Sequence, residues 1–186
     1  MDLRAAVAHT SGLRDSSTKV WARLGAEVDT VLAGRSAGAA DIAALRYTES
    51  VVLESMRLYP PAWSIGREAT EDVEIGGRIL PRGTQVWITQ YASHRDGRFF
   101  PRPLAFEPDR WADDLQRKLP RFAYFPFGGG PRLCIGNNFA MMEAVLLLAT
   151  IAQRWRPHVA AGDTPRPQFS ITLRPRGGVR ATLHRR

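Results

Sequence analysis

Cys134 is the single cysteine of this 186-residue chain. It lies in Phe125-Pro126-Phe127-Gly128-Gly129-Gly130-Pro131-Arg132-Leu133-Cys134-Ile135-Gly136, a stretch that neither a helix nor a central strand accommodates. Three successive glycines let a backbone pass close to something flat or bulky without Cβ atoms in the way. An apolar helix is predicted to follow, from about Asn137 to Trp155. The start of a helix offers unpaired N–H groups and partial positive charge, which favour a thiolate. That effect is worth ~0.3–1 kcal/mol, up to ~2 kcal/mol, too little to hold a thiol fully ionised at neutral pH. A metal does so outright. A lone cysteine is more often a small buried hydrophobe, but here the surroundings favour a metal-bound thiolate.

The row Phe127-x-x-Gly130-x-Arg132-x-Cys134-x-Gly136 resembles, residue for residue, the haem-binding loop of the cytochrome P450 family, whose iron is held by a cysteine thiolate. Other stretches carry the same resemblance. Glu54-Ser55-Met56-Arg57 stands on a predicted helix that ends in Leu58-Tyr59-Pro60-Pro61. Phe106-Glu107-Pro108-Asp109-Arg110-Trp111 follows later, and a two-glycine hairpin and His94-Arg95-Asp96 lie between. A Glu and an Arg three apart share a helix face, and on their own they say little, since surface pairs are worth about 0–1 kcal/mol.

The resemblance implies that Cys134 is the axial ligand of haem b and that Arg132 and Arg67 pair with its propionates. Phe127, Gly128, Gly136 and Ala140 would border the cofactor. Arg67 reads equally well as a surface arginine. Glu54, Arg57 and Arg110 would form an internal ion triad with a structural role. Ala62, Ser64 and Ile65 would line the substrate side, with Ala62 and Ser64, two apart in an extended run, facing the same way. No catalytic residue is assigned. The family's oxygen-activating helix, with its acid–threonine pair, should precede Val20, and neither His9-Thr10 nor Asp15-Ser16-Ser17-Thr18 matches it.

The implied activity is that of a monooxygenase inserting one atom of O2 into a small hydrophobic organic substrate. Its electrons would come from NAD(P)H through an acidic ferredoxin- or flavodoxin-type donor. Arg117, Lys118 and Arg121, in the polar stretch before the loop, read equally as a docking face for that donor and as ordinary solvated charge. Family members are more than twice this length, so either the chain is a fragment or truncated form, or a companion chain supplies a missing N-terminal half. The alternatives are a non-catalytic haem-binding module and an inactive structural remnant.

The elements that must position these residues follow from periodicity. Residues 1–17 read as an irregular segment and 18–186 as the C-terminal haem-binding part of the domain. The expected fold is mainly α with small β-sheets. Val20, Leu24, Val28, Val31 and Leu32 recur at helical spacing up to Gly34, and a second helix spans about Tyr47 to Leu58. Val73–Ile75 and Arg78–Leu80 flank Gly76-Gly77 as a hairpin, and Thr84–Thr89 alternates like a half-buried strand. His94 is expected to hydrogen-bond within its own loop. The helix after Cys134 has apolar residues around most of its circumference and reads as buried. Phe169–Leu173 and Val179–Leu183 read as strands.

Hydrophobic content of 44% and charged content of 24% are globular values, and a chain of this length buries roughly 70% of its unfolded surface. The excess of 26 Lys+Arg over 18 Asp+Glu gives +8, almost all of it arginine. No nucleic-acid recognition module or zinc spacing accompanies that charge. The helix after Cys134 carries Glu143 and Gln153 and is too broken to span a bilayer. With one cysteine and no leader-like run at Met1, the reading is a cytoplasmic protein.

Overall fold

The computed structural model describes residues 14–159 and 166–186. In chain order the elements are α1 (Arg14–Leu32), a 3-10 turn (Ala39–Ala44) and α2 (Arg46–Leu58), then strands β1 (Ile65–Glu68), β2 (Val73–Ile75), β3 (Arg78–Leu80) and β4 (Gln85–Ile88). A short α3 (Gln90–Ser93), a 3-10 segment (Pro108–Asp114), α4 (Leu115–Lys118) and a 3-10 turn (Gly130–Arg132) lead to α5 (Asn137–Arg154). Strands β5 (Trp155–Val159), β6 (Pro167–Gln168), β7 (Arg174–Pro175) and β8 (Ala181–Arg185) finish the chain. The fold is therefore mainly helical, with four two-stranded antiparallel sheets among the described residues.

The core forms where α1, α2 and α5 meet. Val20, Trp21, Leu24, Val28 and Leu32 of α1 pack against Val51, Val52 and Met56 of α2 and against Ala144, Val145, Leu148, Ala149 and Ala152 of α5. Each fully buried large apolar side chain contributes roughly 1.5–3 kcal/mol, so this three-helix seam carries most of the apolar stabilisation. The N-terminus of α2 is capped from outside. Its N-cap is Leu45, which has no side-chain acceptor. The Glu27 carboxylate of α1 takes over, accepting the N–H groups of Tyr47 and Thr48 at 2.6 and 2.8 Å and the Thr48 hydroxyl at 2.7 Å. A negative group there satisfies otherwise unpaired donors and complements the helix dipole.

Several expectations need correction. Helix α1 begins at Arg14, inside the segment read as irregular, because Asp15, Ser16 and Ser17 suit a first helical turn; residues 1–13, Thr10 among them, lie outside the described ones. Helix α5 is buried on one side only. Its packing comes from α1 and α2 on that side, while Phe139 and Leu147 on the other are 65% and 47% exposed. Residues 169–173 form a turn between β6 and β7 and not a strand, and β8 pairs with β5, a strand that begins at Trp155 directly after α5. In β4 only Val86 is half-buried; Trp87 and Ile88 are exposed.

The turn at 169–173 has a positioning role. Trp63 Nε1 donates to the Ser170 carbonyl at 2.7 Å, Leu173 N–H donates to the Pro61 carbonyl at 2.9 Å, and the Phe169 ring stands edge-on to Trp63 and Tyr91 at 5.1 and 5.0 Å. The bend after α2 is thereby held against the C-terminal hairpin.

Candidate functional site

A cavity of about 720 Å³ lies between three walls. Met56, Pro61 and Ala62 come from the end of α2 and the following bend, Ile65, Gly66, Arg67 and Glu68 from β1, and Pro126, Phe127, Gly128, Arg132, Cys134 and Ala140 from the loop and the first turn of α5. This size suits an organic cofactor or ligand.

The loop builds its wall from backbone bonds. Gly128 N–H donates to the Phe125 carbonyl at 2.9 Å, Leu133 N–H to Gly130 at 3.0 Å, and Cys134 N–H back to Phe127 at 3.0 Å. Gly128 and Gly130 hold φ of 76° and 69°, which an L side chain adopts only with strain. No atom lies near the position of a Cβ on Gly130, so its absence serves the turn and not close packing. The last bend, Gly136, precedes Asn137, whose N–H donates to the Cys134 carbonyl at 3.3 Å. Cys134 is exposed, a free thiol at the cavity wall.

Arg132 and Arg67 stand on the same cavity, both exposed. Arg67 Nη1 donates to the Gly66 carbonyl at 2.8 Å, which leaves the remaining donors of its fork for a ligand. Of the other residues expected at the site, Phe127, Gly128, Ala140, Ala62 and Ile65 line the cavity. Gly136 and Ser64 do not. Gly136 lies behind the thiol, where a Cβ would sit 4.0 Å from Sγ. Ser64 departs from its expected direction because the chain bends at Pro61 and Ala62, which breaks the two-residue alternation, and its hydroxyl donates to the Ile88 carbonyl at 3.4 Å. Met56, Pro61, Gly66, Glu68 and Pro126 complete the lining without having been expected there. A thiol donor, two guanidinium groups and an otherwise largely apolar wall fit a flat apolar macrocycle that carries a central metal and two carboxylates. Among the described residues no three His, Cys, Asp or Glu side chains converge to hold a bare metal ion.

Glu54, Arg57 and Arg110 meet away from this cavity, in the interior. Glu54 Oε2 accepts from Arg57 Nε and Trp111 Nε1, both at 2.9 Å. Oε1 accepts from Arg57 Nη2 at 2.9 Å, Arg110 Nε at 2.9 Å and the Glu107 N–H at 2.8 Å. The remaining Arg57 donors reach the carbonyls of His94 at 2.8 Å, Pro103 at 2.7 Å and Ala105 at 3.0 Å, so its whole fork is engaged. This centre ties α2 to the segment from Pro101 to Trp111, and not directly to the Cys134 loop.

The direct tie is His94. It is fully buried, and its Nε2 accepts the Phe125 N–H at 2.9 Å, 31 residues away, so the hydrogen bond expected within its own loop is replaced by a long-range one. Burial, with the Arg57 and Arg95 charges adding to it, pushes the His94 pKa down to about 3. Tyr124 donates to the Leu53 carbonyl at 3.0 Å beside it, and burial keeps its phenol neutral far above the ordinary range. A second cavity of about 400 Å³ is lined by Gln116 of α4 together with Leu133, Asn137 and Met141. Arg117, Lys118 and Arg121, close to Gln116 in sequence, are exposed.

The family described as Cytochrome P450 matches residues 17–180. The chain is 50% identical over 156 residues to cyclooctatin synthase of Streptomyces melanosporofaciens, covering 83% of this chain and 34% of the relative. It is 38% identical over 155 residues to pentalenene oxygenase of Streptomyces avermitilis, with 83% and 34% covered. A crystal structure of a cytochrome P450 superposes with a TM-score of 0.85 at 32% identity, over 97% of this chain and 41% of that one. The chain belongs to the cytochrome P450 family. It spans about a third of the length of the curated relatives it matches. Among the described residues no helix is long and apolar enough to cross a membrane.

Proposed function

We propose that this chain forms the haem-thiolate part of a cytoplasmic cytochrome P450 monooxygenase that acts on an apolar organic substrate. The observation that carries this reading is the position of the Cys134 thiol on a 720 Å³ cavity shared with Arg132 and Arg67. Cys134 would bind the haem iron as thiolate, and the two arginines would hold the propionates by charge-assisted bonds. Phe127, Gly128 and Ala140, which line the cavity, would border the ring. When bound, haem supplies dioxygen activation, to which a thiolate ligand contributes electron density.

Ala62 and Ile65 present apolar surface to the substrate side and exclude water there. One relative is named cyclooctat-9-en-7-ol 5-monooxygenase and is 42% identical over 146 residues. With pentalenene oxygenase it supports a hydrocarbon-skeleton substrate for this chain too. Electrons from NAD(P)H would arrive through an acidic ferredoxin- or flavodoxin-type donor. The exposed Arg117, Lys118 and Arg121, just before the loop in sequence, would offer it a basic landing site.

The test is the absorption spectrum of reduced, carbon monoxide-treated protein loaded with haem, alone and joined to the N-terminal part of a full-length relative. A thiolate-type band that disappears in Cys134→Ala supports the reading. A band that persists in Cys134→Ala, or no haem binding in either form, overturns it. With the band in hand, turnover of cyclooctat-9-en-7-ol or pentalenene with an electron donor separates a monooxygenase from a haem module without activity.

A further inference from the structure

Resting on the reading of Cys134 as a haem ligand, we propose that His94 is the positioning residue that sets the Cys134 loop against the Glu54–Arg57 centre. The backbone relay is continuous. His94 Nε2 accepts the Phe125 N–H at 2.9 Å, the Phe125 carbonyl accepts the Gly128 N–H at 2.9 Å, and the Phe127 carbonyl accepts the Cys134 N–H at 3.0 Å. The other end of His94 is fixed as firmly. Its carbonyl accepts from Arg57 Nη1 at 2.8 Å and its N–H donates to the Gln90 carbonyl at 2.8 Å. Its ring packs on Tyr124 and Phe125 at centroid distances of 5.0 and 5.3 Å. Two buried residues, Arg57 and His94, therefore connect the ion centre in α2 to the first residue of the loop.

The chemistry demands an unprotonated Nε2. An N–H is a donor, so only the tautomer with its proton on Nδ1 receives Phe125. A protonated ring would place a third cation beside Arg57 and Arg95 and would point a donor at a donor. A phenylalanine in its place keeps the ring contacts but leaves the Phe125 N–H buried without an acceptor. Glutamine restores an acceptor at about the reach of Nε2. From this side the Tyr124 hydroxyl on the Leu53 carbonyl and the packing of Phe127 on the core also hold the loop. His94 supplies the side-chain acceptor for the Phe125 N–H, and the loop's other backbone bonds run within residues 125–137.

The experiment compares wild type, His94→Phe, His94→Gln and a core control, Val28→Ala, chosen to lower thermal stability comparably. Amide hydrogen exchange at Phe125, Gly128 and Cys134 is read without haem. The thiolate-type fraction of the carbon monoxide band is read with it. Exchange at those three amides at least tenfold faster in His94→Phe than in the control is expected. A matching fall in the thiolate fraction is expected too, with both largely recovered in His94→Gln. Equal exchange in His94→Phe and the control overturns the proposal. So does a glutamine variant no better than phenylalanine. Nitrogen chemical shifts of wild-type His94 give a reading that no folding failure removes. Nε2 is expected unprotonated between pH 5 and 8, and a protonated Nε2 overturns the proposal. The exchange effect without any thiolate band in wild type supports the positioning role while overturning the haem reading of Cys134.

Discussion

Glu54 and Arg57 lie one helical turn apart and form a two-pronged ion pair with no solvent exposure, Arg57 Nε to Oε2 and Nη2 to Oε1, both at 2.9 Å. Such a pair is costly to bury and still costlier to break. Its desolvation is offset only because every remaining lone pair and proton also has a partner.

Replacing Glu54 with Gln strands two guanidinium groups, those of Arg57 and Arg110, in the interior. The expected loss is about 3–5 kcal/mol of stability. Haem retention should fall in parallel with the melting temperature. Denaturation and haem-transfer measurements check this. A variant with normal stability and haem content but no turnover would contradict a structural role.

Cys134→Ala has the opposite signature. The thiol is exposed and its side chain makes no polar contact that holds the fold. Stability without haem should change by less than about 0.5 kcal/mol, as for surface substitutions generally. The thiolate-type spectrum should vanish. Calorimetry of the haem-free protein and the carbon monoxide spectrum separate the two effects.

Acid should loosen the molecule through His94. Its pKa is about 3 in the fold against 6.5 for an ordinary histidine. The unfolded chain takes up the proton first as pH falls. The stability conferred by the neutral buried ring is whole above pH about 6.5 and is lost progressively down to about 3. The slope from this one group reaches about 1.4 kcal/mol per pH unit. The Arg57 and Arg95 charges act on the ring, and Tyr124 packs against it. Urea midpoints at several pH values check the slope, and His94→Gln should flatten it.

Enlarging Ala62 to Phe should fill part of the cavity. Ala62 lines it from the bend pinned by Trp63 and Leu173. Ligand-induced spectral shifts should weaken at least tenfold for bulky substrates, with the carbon monoxide spectrum unchanged. Unchanged affinity for every ligand would remove Ala62 from the substrate side.

Charge reversal at Arg117, Lys118 and Arg121 should slow reduction by an acidic donor. The effect should shrink as salt rises, because screening acts over ~8 Å at physiological ionic strength. Stopped-flow reduction rates that ignore both the substitutions and the salt would exclude this landing site.

Much of the candidate site was legible because it is local. The Cys134 loop announces itself through glycine, proline and cysteine at fixed offsets, and such offsets dictate backbone conformation whatever lies around them. Helices α1 and α2 and the hairpin of β2 and β3 follow from periodicity and turn residues in the same way. Glu54, Arg57 and Arg110 were expected together only from the family resemblance, since a Glu and an Arg three apart on a helix do not by themselves name a third partner.

Other features depend on which surfaces meet, and no local pattern carries that information. Glu27 looks like an ordinary surface acid on α1, yet it caps α2 because packing of the two helices brings its carboxylate to Tyr47 and Thr48. His94 reads as a loop residue, and only tertiary packing brings its Nε2 to Phe125. Ser64 alternates correctly on paper, but the bend at Pro61 turns it toward Ile88. Helix α5 shows apolar residues all round, and its neighbours alone determine which side is covered. The sequence by itself determined the thiol loop and its chemical character, because short-range sterics set them. Only the tertiary structure decided what holds that loop in place, because a buried donor takes the acceptor that packing leaves within reach.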